Sequence, residues 1–214
     1  MHQRTSGRVI AQRLPKLLAF CCLIAVISSC AGEHHRFTAT ASPPPSIDPD
    51  TLIVSVDDVA RMAHFDDLTS DPQLDRRAPG DLDAQSPAPC RAVFDQQAAF
   101  GEGWTRFRSV WYSGANNKGV TQAVAVYSSD DAARNAFDRV SSALTACSAL
   151  HADGFDFTTR KPSASTVSAC FEQCRVMYRW KSSVLIDVSV QHFSDSERIA
   201  NEVANAIADR INSA

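Results

Sequence analysis

The spacing of apolar residues changes several times along the chain, and each change predicts an element. "LLAFCCLIAVI", residues 17–27, is an unbroken apolar run behind Arg4, Arg8, Arg13 and Lys16. It is shorter than the ~20 residues a spanning helix needs, and with its basic flank it fits the apolar region of an export signal. Residues 31–50 hold four prolines and no apolar period, so they read as a flexible tether. Residues 52–65 predict a short helix, capped by Ser55 or Asp57, with Val59, Met62 and Ala63 on its apolar edge. The Asp/Pro/Gly-rich stretch 66–89 reads as a long surface loop.

From residue 90 the pattern tightens. "CRAVFDQQAAF", 90–100, is helix-like. "WTRFRSVWY", 104–112, alternates, with Phe107 and Trp111 on one face and Trp104, Arg106 and Arg108 on the other. After the turn cluster "SGANNKG", "VTQAVAVY" alternates again, placing Val120, Gln122, Val124 and Val126 together. This pair predicts a hairpin. Residues 128–147 predict the clearest helix. Ser128 or Ser129 caps it, Asp130 and Asp131 suit its positive end, and Ala133, Phe137, Val140, Leu144 and Cys147 form a buried stripe. Residues 154–161 and 164–169 are weaker strands, 174–181 and 184–190 stronger ones. A last helix is expected to open with a capping box, Ser194 and Glu197, and to bury Ile199, Val203, Ile207 and Ile211. The order predicts an α+β fold: an antiparallel twisted sheet with helices packed on one face.

Composition is that of an ordinary globular protein, 44% hydrophobic and 21% charged. The N-terminus adds chemistry. Ile27-Ser28-Ser29-Cys30-Ala31 resembles the lipobox of bacterial lipoproteins, in which small residues admit the signal peptidase and the cysteine thiol takes a diacylglyceryl group. Several acyl chains make a stable anchor where one is marginal. Residues 1–29 are therefore expected to be a lipoprotein signal peptide, 30–50 the tether and 51–214 the folded domain, with 51–89 an N-terminal helix and loop and 90–214 its compact core. The expected location is the extracytoplasmic face of the cell membrane, with Cys30 lipidated. Loss of four basic residues and no acid takes the formal charge from −3 to −3 − 4 = −7, which disfavours nucleic acid as a partner.

Cys90, Cys147, Cys170 and Cys174 then remain, an even set that allows three disulfide connectivities in an exported protein. Cys170 and Cys174 are near neighbours, so their bridge is the easiest to close, leaving Cys90 for Cys147. A metal or redox site has less support: CxxxC is not CxxC, and no His pair completes four ligands. Two disulfides, no metal and no cofactor are expected.

The ordered set "CRAVF…GWTRFR", "VTQAVAVYSSDDAARNAFDRVSSALTAC", "CRVMYRWKSSVLIDVSV" and "IANEVANAIADRI" resembles the extracellular sensor domain of the mycobacterial PknH family, over about residues 51–214. That domain also occurs in mycobacterial envelope lipoproteins. The resemblance implies a cleft between sheet and helices, a long-range disulfide matching Cys90–Cys147, and ligand sensing. It departs in one place. The family tends to carry its last cysteine near Gln191, paired with the one matching Cys174, and this chain offers Cys170 instead.

The function expected is a lipid-anchored binding or sensor-like domain for a small molecule or envelope component, without catalysis. Trp104, Arg106, Arg108, Gln122 and Gln191 are the candidate ligand-binding residues, being polar or aromatic groups the core does not require. An alternative is a protein-interaction accessory of a membrane sensor or envelope complex. A hydrolase is weaker, because no GxSxG, HExxH or SxxK is present and His64, His151 and His192 are isolated.

Overall fold

The computed structural model describes residues 47–80 and 85–214. The signal segment, Cys30 and most of the tether lie outside the described residues. The first helix, α1 (Pro49–Leu52), opens inside the stretch read as tether, with the Asp48 carboxylate accepting the Asp50 N–H. Ser55 caps α2 (Val56–Ala63) by accepting the Asp58 N–H at 3.2 Å.

Seven strands form one antiparallel sheet. They are β1 (Thr69–Ser70), β2 (Trp104–Ser113), β3 (Gly119–Tyr127), β4 (Thr158–Ser163), β5 (Thr166–Cys170), β6 (Cys174–Lys181) and β7 (Val184–Gln191). Their order is β1-β2-β3-β7-β6-β5-β4. Strands form near all four positions expected after residue 154, with β4 at Thr158–Ser163 rather than 154–161 and β5 at Thr166–Cys170 rather than 164–169. The two-residue β1 and the single bridge from Arg76 to Ser109 fall inside the expected loop, too short to leave a period.

The helices cover both faces of the sheet, which corrects the expectation of one. On the first face α1, α2 and α5 (Ser196–Ser213) pack over Val120, Val124, Val126, Val184, Ile186, Val188 and Val190. On the second, the 3₁₀ helix Ala88–Val93, α3 (Gln96–Phe100) and α4 (Asp130–Ser148) pack over Phe107, Ala123, Ala125, Tyr127, Val176, Tyr178 and Leu185. The reason is visible in β3 and β7, where nearly every residue on either side is apolar or small. A strand buried on both faces reads as a near-continuous run rather than an alternation.

Three local details differ from expectation. The segment 90–100 is two short helices, because the Asp95 carboxylate accepts the Ala98 N–H at 3.1 Å and starts α3 afresh. A bulge between Trp104 and Arg106 turns the Trp104 side chain onto the face of Phe107, with ring centroids 6.0 Å apart. The capping box of α5 does not form. Gln173, on the β5–β6 turn, supplies the acceptor instead, with Oε1 taking the Ser196 N–H at 3.2 Å and its hydroxyl at 3.0 Å. Asp195 and Glu202 hold Arg198, and Glu197 pairs with Arg160.

One disulfide between described side chains, Cys90–Cys147, joins the 3₁₀ helix to the end of α4. Cys170 and Cys174 are register partners across β5 and β6, but the Cys174 side chain lies outside what the structure describes. The Cys90–Cys147 loop, a separation of 57 residues, corresponds to about 4 kcal/mol of unfolded-chain entropy.

Candidate ligand cleft

The second face of the sheet is not apolar along its whole length. One cross-strand row is Phe107, Ala125 and Leu185, under α4. The next is Ser109, Ala123, Asp187 and Tyr178, and the one after is Trp111, Thr121, Ser189 and Val176. Within β2, β3 and β7, side chains thus become polar toward the β2–β3 turn.

There the sheet is the floor of a cleft. Val93, Phe94 and Gln96, at the junction of the 3₁₀ helix and α3, wall one part of it, a cavity of about 240 Å³ floored by Trp111, Thr121, Asp187, Ser189 and Gln191. Leu74 and Arg76 wall an adjoining cavity of about 210 Å³ that shares Gln96, Trp111 and Thr121. The Leu74 wall is fixed by the backbone bridge between Arg76 and Ser109, with N–H···O distances of 2.9 and 3.0 Å. The opposite wall is fixed by the Cys90–Cys147 bridge. Leu74 and Phe94 are 45% and 41% exposed, an apolar rim around a polar floor. Trp111 depends on Gly119 across the hairpin: a Cβ there would lie 2.3 Å from the indole.

The floor is electrostatically unusual. Asp187 is 5% exposed, and its carboxyl Oδ1 has no hydrogen-bond partner among the described residues. Burial pushes its carboxyl up to about 8, since a charge without a partner is poorly solvated there. Its cross-strand neighbour Tyr178 is also pushed up by burial, and its hydroxyl donates to the Ala92 carbonyl at 2.8 Å. Gln96 donates through Nε2 to the Ser109 hydroxyl at 2.8 Å and leaves Oε1 without a partner. Among the described residues, the only buried side-chain polar atoms without a hydrogen bond are Gln96 Oε1 and Asp187 Oδ1, and both residues line this cleft. More than nine in ten buried polar groups are normally paired, so two orphans in one cavity mark a place built to receive donors.

Of the five residues expected to bind ligand, the structure brings only Gln191 to this cleft. Gln122 is fully buried on the opposite face and braces the N-terminal segment: its Oε1 accepts the Val54 N–H at 2.9 Å and its Nε2 donates to the Val54 carbonyl at 3.0 Å. Arg108, also on that face, holds Asp50 at 2.9 Å and Asp75 at 2.5 Å. Arg106 is exposed beside it. Trp104 lies at the other end of β2, lining a separate cavity of about 420 Å³ with Ala78, Gln97 and Glu102. Sequence reading missed Gln96, Trp111, Thr121, Asp187 and Ser189. The available signal is the polar series Asp187, Ser189, Gln191 on alternate positions of β7, which faces the cleft. His64, His151 and His192 sit in turns with positive φ, at 48°, 46° and 60°, and none lines the cleft. No three His, Cys, Asp or Glu side chains converge on a metal position among the described residues.

An antiparallel α+β sheet sheathed by helices, with a buried disulfide holding one wall of an open cleft, defines a class of disulfide-stapled domains suited to an oxidising compartment. The match to known proteins names that class. The chain belongs to the family of PknH-like extracellular domains, whose family model matches residues 44–210. An extracytoplasmic location goes with that family, and no helix among the described residues is long and apolar enough to cross a membrane. The crystal structure of the extracellular domain of PknH from Mycobacterium tuberculosis is similar, with a TM-score of 0.60 at 15% identity, covering 81% of this chain and 100% of that one. At that identity the likeness shows the fold. No curated protein matches the chain.

Proposed function

We propose that this protein is a lipid-anchored extracytoplasmic binding domain, and that the cleft between β2, β3, β7 and the 3₁₀ helix takes a small molecule or an envelope component. The observation that carries the reading is the pairing of two orphaned buried oxygens with an apolar rim in one concave site, the general form of a small-ligand pocket. The family supports a binding rather than catalytic role. Ser109 and Ser189 face the cleft, and none of the described histidines lines it to act as base. Anchoring rests on Cys30 in its lipobox-like setting. The Cys30→Ala protein is expected to leave the membrane fraction on washing, whereas firm retention would contradict lipidation.

A second reading is a protein-interaction accessory of a membrane sensor. The exposed Leu74 and Phe94 at the rim favour it. Native mass spectrometry of the full chain, taken from its own envelope, separates the two. A bound small mass supports the cleft reading, and repeated recovery of one protein partner supports the accessory.

A further inference from the structure

We propose that the cleft recognises an organic amine, its ammonium group seated between Asp187 and Gln96 and its apolar body lying along Trp111 toward Phe94 and Leu74. The inference rests on the cleft being the binding site and adds the chemistry of the ligand. Both unpartnered buried atoms are oxygens, and each needs a hydrogen bond donated to it. An ammonium carries three donors and no acceptor, so one group satisfies both. A hydroxyl brings one donor, enough for only one of the two oxygens, and no charge to pair with the ionised carboxylate.

The charges around Asp187 agree. No cation among the described residues neutralises it. Tyr178 on β6 is neutral and already bonded to Ala92, β3 presents Ala123, and Asp95 at the start of α3 adds a second carboxylate on that side. Arg76 belongs to the adjoining half of the cleft, where its guanidinium packs along Gly80, 3.2 Å from where a Cβ would sit. The indole of Trp111 offers an aromatic face to a cation. The fold has already desolvated Asp187, so an arriving ammonium meets a preorganised site and must lose only its own water. In the empty cleft the carboxyl holds a proton up to about pH 8, and an ammonium displaces it.

Phenethylamine and its neutral analogue phenethyl alcohol test this on the full chain in detergent, by isothermal titration and by the fluorescence of Trp111, with Trp111→Phe as the assignment control. The amine is expected to bind about tenfold more tightly for each pH unit from about 6 to 8 and then level off, because the carboxyl must be ionised. The Asp187→Asn protein is expected to lose about tenfold or more at pH 8. Should that variant fold poorly, the pH profile of the unaltered chain decides alone. No amine binding, or binding independent of pH, overturns the amine. Alcohol binding as tightly as the amine, with a response lost in Trp111→Phe, overturns the amine and leaves the cleft as the site. Silence from both probes, together with no small mass on the purified protein, removes the cleft reading as well.

Discussion

Asp187 is the residue through which the cleft and the fold are coupled. In the unfolded chain its carboxyl titrates near 4; in the fold it keeps its proton up to about 8. The folded state therefore holds one more proton than the unfolded across that window. Stability is greatest at the acid end and falls as pH rises, by at most ~1.4 kcal/mol per unit, until both states are ionised above 8. Thermal unfolding from pH 5 to 8 is expected to show this downward slope in the unaltered chain and a flatter one in Asp187→Asn; equal slopes would contradict the buried, unpartnered carboxyl. Gln122 is polar for the opposite reason, since both its amide atoms are used on Val54. Gln122→Leu leaves the Val54 N–H buried without an acceptor and is expected to cost about 1–3 kcal/mol, read as a lower urea midpoint with unchanged slope. An unchanged midpoint would show the brace to be dispensable.

Elements were more legible in the sequence than the site was. Helix α4 follows from its cap and its stripe, and β3, β6 and β7 from their alternation, because those signals depend on neighbours along the chain. The second helical face was not legible. Runs such as "VTQAVAVY" and "VLIDVSV" mark one buried side by their valines, although their second sides, Ala123 and Ala125 or Leu185, are also buried. The capping of α5 by Gln173 was out of reach for the same reason, since it joins residues 23 apart. The cleft wall depends on such a distant link. Cys90 sits in the helix that presents Val93 and Phe94, and its bond to Cys147 holds that helix on α4. Non-reducing peptide mapping is expected to recover Cys90 with Cys147, and we propose Cys170 with Cys174. Any exchange of partners between the two pairs would contradict the wall as described.

For the whole molecule, the sequence points to an extracytoplasmic family, while the position of the cleft is set by the tertiary fold. Arg106, Arg108 and Gln122 are polar residues on strands, and the register puts all three on the face away from the cleft. Of the five candidates only Gln191 lies in the cleft, because which side of a doubly covered sheet is left open depends on where α4 ends and not on the strands. The segment before residue 90 was read as largely outside the core, yet Leu52, Val54 and Val59 are buried against the same sheet and α5. The domain is thus one sheet carrying a sealed face and a partly open one.

The most direct test of the cleft as the functional site compares the unaltered full chain with Thr121→Trp, both purified from the native envelope and weighed intact by native mass spectrometry. Thr121 lies on the floor shared by both parts of the cleft, so an indole there fills it. The prediction is a discrete small mass on the unaltered protein that is missing from the folded variant. The same mass on both proteins, or on neither, would contradict it.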